Sequence, residues 1–223
     1  MRKWSVEEFE GLIRHRLTDQ EGPVELVAGK ILPLPIDATL VQWARLLQRQ
    51  IQQHLITQSI DTYVVRSRPA IYIDNHTLLK PSLALCDCTA SAATVHTQRG
   101  INPEEVIIPS QVHWVLDIRP AKAEDDQRLH LYAEGAISQY WHCLPDQIAL
   151  RLYSQPTDAG YQQHRLLTVG ACAAPDCLPN LRIRVQEPLP LYFLTRTGKG
   201  QQTYWSKGLP ISVEKDETGK KLE

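Results

Sequence analysis

The chain has little that would mark it as a strongly basic nucleic-acid binder, a helical membrane protein or a disulfide scaffold. Its formal net charge is −1, from 24 Lys and Arg against 25 Asp and Glu. Neutralising phosphates with a basic excess supplies much of the affinity of nucleic-acid binders, so any anion-binding groove here has to be local. No apolar run approaches the roughly 20 residues that span a bilayer. Met1-Arg2-Lys3-Trp4 leads into an acidic amphipathic segment and not into the apolar core of an export signal, so a cytoplasmic location is expected. The five cysteines, Cys86, Cys88, Cys143, Cys172 and Cys177, are odd in number, lack framework spacing, and read as reduced thiols. Cys86 and Cys88 read as sharing one strand face, and Cys172 and Cys177 flank Pro175; neither pair fits the paired spacing of four converging zinc ligands. Also missing are a Ser/His/Asp arrangement, a phosphate-cradling glycine loop and a dinucleotide fingerprint.

What is there suits one ordinary domain. The 223 residues are 43% hydrophobic and 22% charged, enough for a sizeable core. Ser5-Val6-Glu7-Glu8 reads as a capping box opening a helix continued by Phe9, Leu12, Ile13 and Leu17. Val24–Val27 and Lys30–Leu34 read as a hairpin about Gly29. A long helix is expected from about Ala38 to Gln58, with Leu40, Ala44, Leu47, Ile51 and Leu55 as its apolar stripe and Arg45, Gln48, Arg49, Gln52 and Gln53 largely off it. Strands are expected at Thr62–Arg66 and Ala70–Ile73, with a turn at Asp74-Asn75-His76. Leu83–Cys86 and Val112–Ile118 are apolar throughout, as in strands covered on both faces. A helix at Ala123–Glu134 with Gly135 as its stop precedes strands at Gln139–Cys143, Ile148–Tyr153 and Tyr161–Leu167, whose short connections suggest antiparallel pairing. The chain divides into a domain over 1–195 and, from about Arg196, a polar, glycine-containing tail over 196–223, with Tyr204-Trp205 as its aromatic island.

The order of several pieces carries a resemblance. They are Glu25 in Glu-Leu-Val-Ala-Gly, Pro81-Ser82-Leu83-Ala84-Leu85, Val112–Asp117, and Leu131-Tyr132-Ala133-Glu134-Gly135-Ala136-Ile137 with Tyr140-Trp141. Together they resemble the Uma-type family of restriction-endonuclease-like proteins, bacterial members of the PD-(D/E)XK nuclease superfamily, over about Trp4 to Phe193. The resemblance implies a mixed α/β fold, with a central mixed sheet flanked by helices. It implies a magnesium-dependent DNA endonuclease, DNA as partner, and a homodimer.

The family's site combines an early Glu, the Asp of Pro-Asp, a strand-end Glu and a helix Lys. By that resemblance Glu25, Ser82 and Asp117 would be the metal ligands, and Glu25, Asp117, Arg119 and Arg128 the catalytic set. Magnesium prefers octahedral oxygen ligation with one or two carboxylates; it polarises the phosphate and activates water. Three of these positions depart from the pattern. Ser82 is a neutral hydroxyl where a carboxylate is expected, and Asp117 is one methylene shorter than Glu. Arg128, at the lysine position, can clamp phosphate but cannot give up its proton. Asp125 and Asp126 match a family Asp before the lysine; they would also sit well at a helix N-terminus on dipole grounds alone. Asp87 lies five residues beyond Ser82, roughly 16 Å along the strand and on the opposite face, too far to replace it. Asp74 could reach the site only if its loop folded back. The bland readings are an Asp117–Arg119 surface pair, a Glu25–Lys30 hairpin pair, and core or edge positions for His113 and His130.

Two functions of different class therefore stand open. One is an endonuclease with a weakened metal site; the other is an inactive nuclease fold serving as a binding or assembly module. The position of the arginines separates them, since a guanidinium in the ion's place would close the site.

Overall fold

The computed structural model describes residues 2–18, 22–34, 37–89, 106–122 and 125–185, and the backbone of 192–196, 202–206 and 209–213. Helix α1 (Val6–Arg14) opens on the expected capping box, with Ser5 Oγ accepting from the Glu8 N–H and Glu8 reaching back to the Ser5 N–H. The hairpin β1 (Val24–Val27) and β2 (Lys30–Pro33) turns through Ala28 and Gly29, at φ 48° and 82°. Two successive positive φ values match the twist of the flanking strands. A Cβ on Gly29 would stand 2.7 Å from Lys3 Cβ, so the turn doubles as the seat of the N-terminal segment.

Helix α2 (Ala38–Thr57) is capped by Asp37, whose carboxylate accepts from Thr39 and Leu40. It buries Ala44, Leu47, Ile51 and Leu55, four of the five stripe residues, and Leu40 is partly buried against them. Strands β3 (Tyr63–Ser67), β4 (Ala70–Asp74), β5 (Thr77–Leu79) and β6 (Leu83–Asp87) follow, then β7 (Val106–Ile107) and β8 (Val112–Ile118). Helix α3 (Asp125–Glu134) and strands β9 (Gln139–Leu144), β10 (Ala149–Thr157) and β11 (Gly160–Leu167) complete the main layers. Ala123 lies outside the described residues.

The central sheet has six strands in the order β11-β10-β9-β8-β6-β3. It is mixed: β8 and β9 run parallel, with α3 in their crossover, and the other neighbours are antiparallel. Alternation along each strand sorts the side chains onto two faces. Leu83, Leu85, Trp114, Leu116, Ile118, Trp141 and Cys143 pack with the α2 stripe. Ala84, Cys86, Val115 and Tyr140 pack with Leu131 and Tyr132 of α3 on the other face. A five-stranded sheet, β2-β1-β5-β4-β7, lies beside this second layer and contributes Val27, Ile71 and Leu79 to it.

Three local readings change. Cys86 is buried in β6, but Cys88 lies exposed in the turn beyond it, so the two do not share a strand face. Helix α3 ends at Glu134 as expected, yet the left-handed residue there is Ala136, at φ 54°. Gly135 is needed for space: a Cβ on it would meet Ile73 Cδ1 at 3.1 Å and Pro109 Cβ at 3.3 Å. The segment expected to form a polar tail from Arg196 carries two strands. β12 (Cys172–Ala173), β13 (Arg182–Arg184), β14 (Tyr192–Arg196), β15 (Gln202–Ser206) and β16 (Leu209–Val213) form a third, antiparallel sheet in that order. Pairing of Thr195 with Thr203 and Arg196 with Gln202 runs across the expected 195/196 boundary. The terminal 214–223 run lies outside the described residues. Among the described residues, no helix is long and apolar enough to cross a membrane.

Candidate functional site

The site forms where the six-stranded sheet, the β2-β1-β5-β4-β7 sheet and α3 meet. Glu25 comes from the middle of β1 and Asp117 from near the end of β8. Ser82 immediately precedes β6, and Arg128 lies on the first turn of α3. One cleft is lined by Glu25, Ser82, Asp117, Arg119 and Arg128, together with Arg68 and Lys80. The five residues singled out by the family resemblance are therefore brought together.

Arg128 is at the centre. Its side chain is 2% exposed, and its guanidinium is shared between the two carboxylates. Nε and Nη2 donate to Asp117 Oδ2 and Oδ1 at 3.1 and 3.3 Å, Nη1 donates to Glu25 Oε1, and Nη2 also donates to the Tyr132 hydroxyl at 2.9 Å. Glu25 accepts a further bond, from the Lys80 backbone N–H at 3.0 Å. The planar fork of arginine suits such bidentate sharing. Burial opposes the Arg128 charge, but Asp117 and Glu25 more than offset it and raise its pKa well above the ordinary value. Burial alone would raise the Asp117 carboxyl; Arg128, then Arg119 and His142, draw it below its usual value instead.

Ser82 turns its hydroxyl to the sheet: Oγ accepts from the Ile118 N–H at 3.0 Å. Arg119 Nε stands 3.9 Å from Asp117 Oδ2, and its Nη2 contacts Asp125 Oδ1 at 2.5 Å. The contact is an ion pair; neither atom has a hydrogen-bond partner among the described residues. Asp125 Oδ2 accepts from the Lys122 N–H at 2.7 Å, closing the start of α3.

The other acidic candidates lie elsewhere. Asp87, at the far end of β6, holds His113 Nε2 at 2.6 Å, and Asp74 accepts from the His76 N–H within its turn. His130 is exposed and pairs with Glu134 one turn on. Glu25 pairs with Arg128 and not with Lys30.

Sequence reasoning missed His142. It sits beside Asp117 in the parallel β8–β9 register, 1% exposed, with Nε2 3.1 Å from the Arg119 carbonyl and Nδ1 3.8 Å from Asp125 Oδ2. Burial lowers its pKa, so the neutral ring is favoured. Its signal was its place two residues after Tyr140, on the polar face of β9. Tyr132 and Tyr140 were read as framework; their rings lie 4.9 Å apart over the ion-pair network.

A hydrated divalent ion does not fit these residues as they stand. The guanidinium already occupies the carboxylates such an ion would use, and the Ser82 oxygen is neutral. Among the described residues no three His, Cys, Asp or Glu side chains gather as a metal site would require.

A family model described as "Uma2: Putative restriction endonuclease" matches residues 6–186, most of the chain. The chain belongs to this restriction-endonuclease-like family. A solved structure, "a putative nuclease belonging to DUF820 from Anabaena variabilis", superposes with a TM-score of 0.54 at 13% identity, over 71% of this chain and 84% of that one. At that identity the likeness establishes the shared fold. No curated protein matches.

Proposed function

We propose that this chain is a restriction-endonuclease-like protein that binds DNA without hydrolysing it, the family's metal position being taken by its own Arg128. One observation carries the reading: a fully buried guanidinium bridges Glu25 and Asp117, the two carboxylates that remain of the family pattern. A lysine there could lose its proton and withdraw, whereas arginine does neither readily. An incoming divalent cation would have to displace a permanent cation and leave it buried without partners, at a cost of several kcal/mol. Ser82 removes the negative charge that would help to repay that cost.

The opposing reading is a weak metal-dependent endonuclease, favoured by the convergence of Glu25 and Asp117 on one cleft. Incubating plasmid and linear DNA with the purified chain, with magnesium or manganese and with EDTA, separates the two. Shifted but uncut DNA supports the binding module. Metal-dependent cleavage that Asp117→Ala abolishes would establish the enzyme.

A further inference from the structure

Helix α2 turns one stripe to the core and another, across the helix, to solvent. Gln42, Arg45, Arg49, Gln52 and Ile56 recur at intervals of three and four residues, so they form one row along the helix. All five are exposed, Ile56 by 73%, and they lie across from the buried Leu47, Ile51 and Leu55. At 1.5 Å per residue the row is about 21 Å long. The cleft takes Leu40, Val41 and Ala44 from α2, none of them in the row, so this surface lies outside the candidate site.

A solvated helix face usually mixes charges of both signs in pairs one turn apart. This one does not. The chain has 25 Asp and Glu, and none falls within Ala38–Thr57. Arg45 and Arg49 stand one turn apart as like charges, an arrangement that works against the helix. Among the described residues, the side chains of Gln42, Arg45, Arg49 and Gln52 make no hydrogen bond or ion pair. Beside the row, Gln48 and Gln53 are by contrast bonded, to the Val65 carbonyl and the Thr57 hydroxyl, each at 3.4 Å.

These are the side chains that read base edges. Arginine donates in a fork to guanine O6 and N7, glutamine pairs bidentately with adenine N6 and N7, and an apolar side chain meets the thymine methyl. The major groove of B-form DNA, about 12 Å wide, admits an α-helix, whereas that of double-stranded RNA is too deep and narrow. A second copy of the chain fits worse, because a two-fold contact would bring Arg45 and Arg49 against their own like charges. We infer that α2 docks in the major groove of double-stranded DNA and reads its sequence through Gln42, Arg45, Arg49, Gln52 and Ile56. The inference rests on the DNA-binding reading of the chain and gives it a surface and a sequence preference.

The test starts with selection of a preferred duplex from a random DNA pool by the full chain in EDTA. Fluorescence anisotropy then compares that duplex with a scrambled duplex and with an RNA duplex. The selected duplex should bind about tenfold or more tighter than the scrambled one. Arg45→Ala/Arg49→Ala should weaken its binding about tenfold or more, a hydrogen bond to a charged group being worth that much. Gln42→Ala/Gln52→Ala should narrow the gap between the two DNA duplexes. Alanine at exposed helix positions favours the helix, so both variants should keep the fold. Duplex binding unchanged in both variants, no preferred sequence, or equal affinity for the RNA duplex would overturn the inference and leave the proposed function standing. So would a dimer in solution that Arg45→Ala/Arg49→Ala dissociates, which would assign the row to a second copy. No binding of any DNA would overturn the inference and the proposed function together, whereas metal-dependent cleavage would overturn the proposed function alone.

Discussion

The two faces of the six-stranded sheet come from the same strands and differ in what holds them. On the α2 face, Trp114 and Trp141 meet edge to face at 5.3 Å among Leu83, Leu85, Leu116 and Ile118. On the α3 face, Val115 and Tyr140 pack with Leu131 and Tyr132, and the alternate positions of β8 and β9 also carry Asp117, which Arg128 holds, with His142 beside it. Apolar burial gains with every methylene removed from water, whereas a buried ion-pair network stabilises little in net terms and punishes the loss of any one member. The first face is therefore framework. The second adds to its apolar packing a concentration of buried charge, and it is this constellation that the proposed function reads as the candidate site.

That contrast can be broken most sharply at Arg128. Arg128→Met strands two carboxylates in the interior, Glu25 and Asp117 being 4% and 3% exposed. It should destabilise by about 3–5 kcal/mol in urea unfolding. A loss under about 1 kcal/mol would mean that the network is wetter than it looks. On the apolar face, Leu116→Ala should cost about 2–5 kcal/mol through the cavity it leaves, equally at neutral and mildly acidic pH. If its cost varied with pH, the two faces would not be independent.

Acid should weaken the α3 face more than the α2 face, to which His54 of α2, its pKa lowered by burial, adds a smaller decline of its own. His142 has a lowered pKa in the folded chain, so the unfolded chain binds its proton first; stability should fall as pH drops below about 6.5 and level off below the folded value. Asp117 is lowered as well, so its contribution is present above about pH 3.9 and is lost as pH falls towards its folded value. Unfolding curves across pH should show both declines, the first reduced in His142→Gln to what His54 leaves and the second reduced in Asp117→Asn. A wild-type profile flat from pH 7 to 3 would remove the electrostatic account of this face.

Legibility in the sequence followed the same division. The apolar face was readable because periodicity encodes it: the α2 stripe and the Val112–Ile118 strand fall where expected. The polar face depends on contacts that no local pattern announces. Arg128 and Glu25 are 103 residues apart, and the resemblance placed them in one site without revealing that one would close on the other. His142 looked like any polar residue in a strand until the parallel β8–β9 register set it against Asp117. The strands beyond Arg196 were missed because glycine and charge dominate that stretch, and their pairing is with β14 and with each other.

Metal titration tests the central claim most directly. Magnesium or manganese should give no specific heat with the unmodified chain and little with Ser82→Asp alone, since Arg128 still holds both carboxylates. It should bind measurably to the Ser82→Asp/Arg128→Lys double variant, where a third carboxylate is present and the fork is gone. Saturable binding of either ion by the unmodified chain, abolished by Asp117→Ala, would contradict the account.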